Sequence, residues 1–149
     1  MLTRGPARVA LAALVMLCGC SDLRVKMEVF NTADDARQAG ALSSAWLPTD
    51  LPSGASDLRT GHLPDGRHWG VFAFQPGDAD AVRALTAEEI TAGSVTCDPP
   101  GRLEFWPRLL RSSVEIERVR STGFRVYRGK DGRTYAINWG QRRAYYWRE

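Results

Sequence analysis

The stretch Phe124-Arg125-Val126-Tyr127-Arg128, Gly129-Lys130-Asp131-Gly132, Arg133-Thr134-Tyr135-Ala136-Ile137-Asn138-Trp139 constrains the fold more than any other. Two runs rich in β-branched and aromatic residues flank a Gly/Asp turn, which is the pattern of an antiparallel hairpin. With Gly129 to Gly132 as the loop, Arg128 faces Arg133, Val126 faces Tyr135 and Phe124 faces Ile137. Phe124, Val126, Tyr135 and Ile137 then share the core face. A third strand, Ala144-Tyr145-Tyr146-Trp147, returns after Gly140-Gln141-Arg142-Arg143. Its register leaves open whether Tyr146, or Tyr145 with Trp147, points inward.

Earlier in the chain, residues 57–63 and 68–75 read as two strands around Pro64-Asp65-Gly66-Arg67. Both alternating sets of Trp69-Gly70-Val71-Phe72-Ala73-Phe74 are apolar, so this strand belongs in the middle of a sheet covered on both sides. Asn31-Thr32-Ala33-Asp34-Asp35 and Gly40 predict a short helix over 32–40, capped by Thr32 or Asn31. Its apolar side is mostly alanine and needs a larger neighbour, for which Trp46 is the candidate. A second helix is predicted from Asp78, as N-cap, to about residue 91, with Val82, Leu85 and Ile90 on its apolar side. Residues 94–102 read as a loop, 107–112 as a short helix and 114–119 as a strand. The fold class expected is α+β: a small antiparallel β-sheet with about two helices packed on one face.

A chain of 149 residues with 44% apolar and 25% charged residues is that of one ordinary globular domain, large enough to bury a core without disulfides. Charge is unevenly placed. Residues 20–101 carry 6 basic and 12 acidic side chains, and residues 102–149 carry 12 basic and 5 acidic. Either the halves neutralise each other by packing, or the basic part meets an anionic partner such as lipid headgroups.

The N-terminus has the three parts of an export signal. Arg4 and Arg8 precede the nine-residue apolar run Val9-Ala10-Leu11-Ala12-Ala13-Leu14-Val15-Met16-Leu17, too short to span a bilayer. Cys18-Gly19-Cys20 follows at once. Leu17-Cys18-Gly19-Cys20 resembles the lipobox of bacterial lipoproteins, although Cys18 stands where Ser, Thr, Ala or Val is more usual. The resemblance implies a signal peptide over 1–19, removal of that peptide, and acyl chains on Cys20. Residues 20–29 would then be a tether and 30–149 a single periplasm-facing domain. Ser21, in place of Asp directly after the lipidated cysteine, implies the outer rather than the inner membrane in a double-membraned cell. Export argues against nucleic acid as a partner, and a lone Cys97 argues against an internal disulfide.

A second likeness covers about residues 30–75. The order Ala39-Gly40, Trp46-Leu47-Pro48, Leu51-Pro52, Ser53-Gly54-Ala55-Ser56-Asp57-Leu58 and a Trp-containing strand is similar to a group of small bacterial proteins without an assigned function. It brings no catalytic residues.

The residues themselves give little for an enzyme. There is no Gly-x-Ser-x-Gly, no phosphate-cradling loop and no paired zinc motif. His62 and His68 flank one turn, but no third ligand has metal-site spacing, so neither a metal nor a cofactor is expected. Trp46, Leu47 and Leu51 read as core plugs, with ligand stacking as the alternative for Trp46. Cys97 has no thiolate-stabilising neighbour and reads as a buried or merely tolerated thiol, with intermolecular pairing as the alternative. The functional expectation is therefore a lipid-anchored, non-catalytic binding or assembly module. A periplasmic enzyme or a small-ligand or metal-binding domain is the alternative. Candidate partner-binding residues are Arg125, Tyr127, Arg142, Arg143, Tyr145 and Trp147, whose arginine and aromatic chemistry suits an envelope protein or an anionic lipid. Such a patch requires that they share an exposed face.

Overall fold

The computed structural model describes residues 24–101 and 103–149. The expected signal peptide, Cys20 and Ser21 lie outside the described residues. Among the described residues, nine strands and three short α-helices follow one another. They are β1 (Lys26–Thr32), α1 (Ala33–Gln38), β2 (Ser56–His62), β3 (His68–Ala73), α2 (Ala79–Leu85), β4 (Thr86–Ile90), β5 (Ser94–Cys97), β6 (Ser112–Glu115), α3 (Ile116–Ser121), β7 (Phe124–Gly129), β8 (Thr134–Asn138) and β9 (Arg143–Arg148). Seven strands form one antiparallel sheet in the order β1-β2-β3-β9-β8-β7-β4, and β5 and β6 form a separate two-stranded ribbon. The chain is therefore mostly β, which corrects the α+β expectation: the sheet is large, and each α-helix is only six or seven residues long. Residues 26–29, expected in the tether, belong to β1.

Period-two alternation splits the sheet's side chains between two cores. Phe72, Tyr135, Ile137, Ala144 and Tyr146 pack with α1, α2 and the segment around Leu47, Leu51 and Leu58. Trp69, Phe124, Val126, Ala136 and Trp147 pack on the opposite face with β5–β6, α3, Leu103, Trp106 and Leu110. Burial of both faces explains why β3 carries an unbroken apolar run, as expected for a central strand. It also settles β9, since Tyr146 plugs one core and Trp147 the other.

The C-terminal hairpin differs from its expected register by one residue. The amide of Gly129 donates to the carbonyl of Arg133 at 2.7 Å, and Gly132 sits at φ +81°. The loop is thus the three residues Lys130-Asp131-Gly132, with glycine in the left-handed position that such loops require. Val126 faces Ala136, and Tyr127 faces Tyr135. A slip of one residue turns a strand over, so Phe124 and Val126 lie on the face opposite Tyr135 and Ile137.

Three other expectations change. The helix beginning near Asp78 stops at Leu85, where the amide of Lys130 takes the Leu85 carbonyl, and residues 86–90 pair with β7 instead. Asp78 caps the preceding turn rather than α2, accepting from the Gln75 amide at 2.9 Å. Residues 94–97 form β5 rather than a loop, and the region after Pro107 runs 3-10 turn, strand, helix, with α3 where a strand was expected. The N-terminal helix forms as its caps predict: Thr32 and Asp35 make a reciprocal capping box, and Gly40 takes φ +73° after the helix.

Candidate functional site: a clasped imidazole pair at one end of the sheet

Two hairpin turns at the same end of the sheet share one construction. In Pro64-Asp65-Gly66-Arg67, the Asp65 carboxylate accepts from the Arg67 amide at 3.0 Å and from its Nε at 2.9 Å. In Lys130-Asp131-Gly132-Arg133, Asp131 accepts from the Arg133 amide at 3.0 Å and from a terminal guanidinium nitrogen at 2.7 Å. Both glycines have positive φ. Arg67 is partly exposed, whereas the Arg133 side chain is 7% exposed. That difference makes the site.

Register places His62 opposite His68, and Lys26 and Arg148 extend the same rung on either side. His68 is fully buried. Its Nδ1 lies 2.9 Å from the Gly66 carbonyl, which only accepts, so Nδ1 carries the proton. Nε2 accepts from Nε of Arg133 at 2.9 Å. Burial pushes the His68 pKa down to about 4, with the Arg133 and Arg148 charges acting in the same direction. The imidazole is neutral at physiological pH.

Arg133 spends its remaining donors on the chain segment above the sheet, reaching the Ala45 carbonyl at 2.5 Å and the Leu47 carbonyl at 3.3 Å. Tyr146 donates to the Trp46 carbonyl at 2.9 Å from below, and Thr60 lies 3.4 Å from the same oxygen. Tyr135 donates to Asp131 at 2.9 Å. Burial alone would raise the Asp131 pKa, but the Arg133 amide, the Arg133 guanidinium and the Tyr135 hydroxyl together hold it low. The phenols of Tyr135 and Tyr146 are pushed up, chiefly by burial. Charged and polar groups are thus matched within a low-dielectric region, and the segment 45–47 is fastened to the sheet by its carbonyls.

Fastening that segment sets Trp46 over His62. Their rings stack with centroids 4.1 Å apart and planes 8° apart. Trp46 is half-buried and is not the plug beneath α1; Leu47 and Leu51 fill that place with Ala33 and Ala36. Beside the stack lies a groove of about 330 Å³ lined by Arg24, Lys26, Trp46, His62, Leu63 and Pro64. Within it, Nδ1 of His62 is buried and has no hydrogen-bond partner among the described residues. Burial lowers the His62 pKa; Glu28 opposes that shift and Lys26 adds to it. The two imidazoles are both buried, and one serves as an acceptor for Arg133. Among the described residues no group of three His, Cys, Asp or Glu side chains is placed to hold a metal ion.

The six residues expected to form a binding patch are separated by the sheet. Arg125 and Tyr127 project on one face, whereas Arg143, Tyr145 and Trp147 project on the other. Arg125 pairs with Glu89 at 3.7 Å. Tyr127 accepts from the Trp139 indole at 3.0 Å, and Arg143 pairs with Asp57. Trp147 is buried and donates to the Thr96 carbonyl at 2.9 Å. Arg142 is exposed in the turn before β9. Acids of the first half thus neutralise part of the basic second half, and no continuous arginine–aromatic surface forms from these six. Cys97 is fully buried, and burial pushes its thiol pKa well up.

Arg133 was not singled out by sequence. Apart from Asp131, its partners lie 65 to 88 positions away, and nothing local distinguishes its turn from that of Arg67. The chain matches no protein-family model, no curated protein and no solved structure. The likeness over residues 30–75 therefore gains no support.

Proposed function

We propose that the chain is a lipid-anchored envelope protein that works without catalysis, as a binding or assembly module. The observation that carries this reading is the order of basic residues, nine-residue apolar run and Leu17-Cys18-Gly19-Cys20 at the N-terminus. The folded domain supports it in two ways. The cluster around His68 is internally satisfied: both nitrogens of His68 are engaged and Arg133 is spent on backbone and side-chain acceptors. A general base or nucleophile needs a free lone pair facing substrate, and His68 offers none. The groove beside Trp46 and His62, in contrast, presents an aromatic ring and two cationic side chains, which is the chemistry of a binding surface.

The test is metabolic labelling with an alkyne-bearing fatty acid in a bacterial host that processes lipoproteins. The wild-type chain should take up the label and Cys20→Ser should not. Absence of label from the wild-type chain, with the protein present in amounts that a labelled control lipoprotein reveals, contradicts the reading.

A further inference from the structure

The sheet has two ends of different character, and the chain enters at one of them. Strand pairing puts Lys26, His62, His68, Arg148, Thr134 and Arg128 successively along one end. The two Asp-Gly-Arg turns and the start of β1 lie there too. Arg24, Lys26, Arg128, Lys130 and Arg148 are exposed at that end, and Arg67 is partly so. Most of the acids at that end are bound locally, while Glu28 lies beside Lys26 and His62 and Asp98 lies beside Cys97 and Glu149. Asp65 is held by Arg67, Asp131 by Arg133 and Tyr135, and Glu149 accepts from the Asp98 amide at 2.5 Å. Glu88 stands opposite Arg128. At the far end, Arg143 is paired with Asp57, and Asp34 and Asp35 open α1.

We infer that the basic end of the sheet is a membrane-docking face that rests on anionic phospholipid headgroups. The inference rests on acylation of Cys20. Four residue steps from Cys20 to Arg24 span at most about 14 Å, so an acylated Cys20 holds this end, and not the far one, against the bilayer. The face crosses six neighbouring strands, a width of about 24 Å, which lets its cations meet several headgroups at once. Polybasic contact of this kind acts within a Debye length of the surface and adds to acyl anchoring. The groove opens at the same end, and Trp46 within it has the amphipathic ring favoured at the headgroup level. A free soluble anion would not need cations spread over the whole end, whereas a lipid surface uses them all.

The experiment takes full-length processed protein, extracted from membranes and placed in vesicles. One dye is attached through Pro64→Cys at the basic end or through Gln141→Cys at the far end, since Cys97 is buried. Energy transfer to a headgroup-labelled lipid is compared between phosphatidylcholine vesicles and vesicles that also contain phosphatidylglycerol. The residue-64 dye should show the higher transfer, and phosphatidylglycerol should raise it. Lys26→Gln/Arg128→Gln/Lys130→Gln should lower the docking equilibrium constant about fivefold per charge removed, while Arg142→Gln leaves it unchanged. Acylated protein whose transfer is equal at the two positions, or indifferent to both phosphatidylglycerol and the triple substitution, overturns the docking face alone. An N-terminal peptide without acyl mass overturns the anchor reading and the docked orientation with it.

Discussion

Nε of Arg133 donates to Nε2 of His68 at 2.9 Å, joining side chains 65 positions apart in sequence. The bond ties the turn after β7 to the start of β3. The same guanidinium also holds the carbonyls of Ala45 and Leu47. One side chain thus joins two hairpins and the segment above them. Arg133→Ala leaves a buried imidazole nitrogen, two carbonyls and the Asp131 carboxylate short of donors. We expect a loss of about 3 kcal/mol or more in unfolding free energy, measured by urea denaturation. Arg133→Lys should recover little of it, because the acceptors are spread over three guanidinium nitrogens and one ammonium nitrogen cannot reach them all.

The neutral His68 makes stability depend on pH. Its folded pKa, about 4, lies below the unfolded value of 6.5, so the unfolded chain binds the proton more readily between these limits. This contribution is fully present above pH 6.5 and is lost as pH falls toward 4, to a total of about 3 kcal/mol. His62 shifts in the same direction. Urea midpoints measured across this range should fall with pH, and less steeply in His68→Gln, which has no proton to gain there.

Gly70 on β3 faces Tyr146 on β9, and a Cβ at Gly70 would come within 2.2 Å of the phenol ring. Tyr146 is held from the other side by the Trp46 carbonyl and cannot retreat without releasing it. Gly70→Ala should therefore cost about 2 kcal/mol by overpacking, and thermal denaturation reads it. Gly140→Ala, whose Cβ meets its nearest neighbour at 3.6 Å, is the mild comparison.

Cys97 is completely covered and its thiol is pushed toward the protonated form. Native protein should react with an aromatic disulfide reagent only as fast as it opens, and at once in denaturant. Fast reaction in native buffer would contradict the packing of β5 against Trp69 and Trp147.

Local chemistry was legible in the sequence, and register was not. Thr32, Asp35 and Gly40 announced α1 because caps act over three or four residues. The apolar run of β3 announced a strand buried on both faces. The hairpin after β7 turned on whether Gly129 belongs to the loop or to the strand, a choice set by one backbone hydrogen bond. Its companion turn at Pro64-Asp65-Gly66 has the same form. Residues 86–90 fit a helical continuation of α2 by spacing and became an edge strand because β7 offered unpaired backbone beside them. Arg133 carried no mark of its role, since what sets it apart from Arg67 is its bonding to distant carbonyls and an imidazole that only the fold assembles.

The most direct measurement is mass spectrometry of the N-terminal peptide from membrane-extracted protein. A peptide beginning at Cys20 and carrying diacylglyceryl mass is the predicted result. An unmodified Cys20, or a mature N-terminus elsewhere, would contradict the anchored envelope protein proposed for this chain.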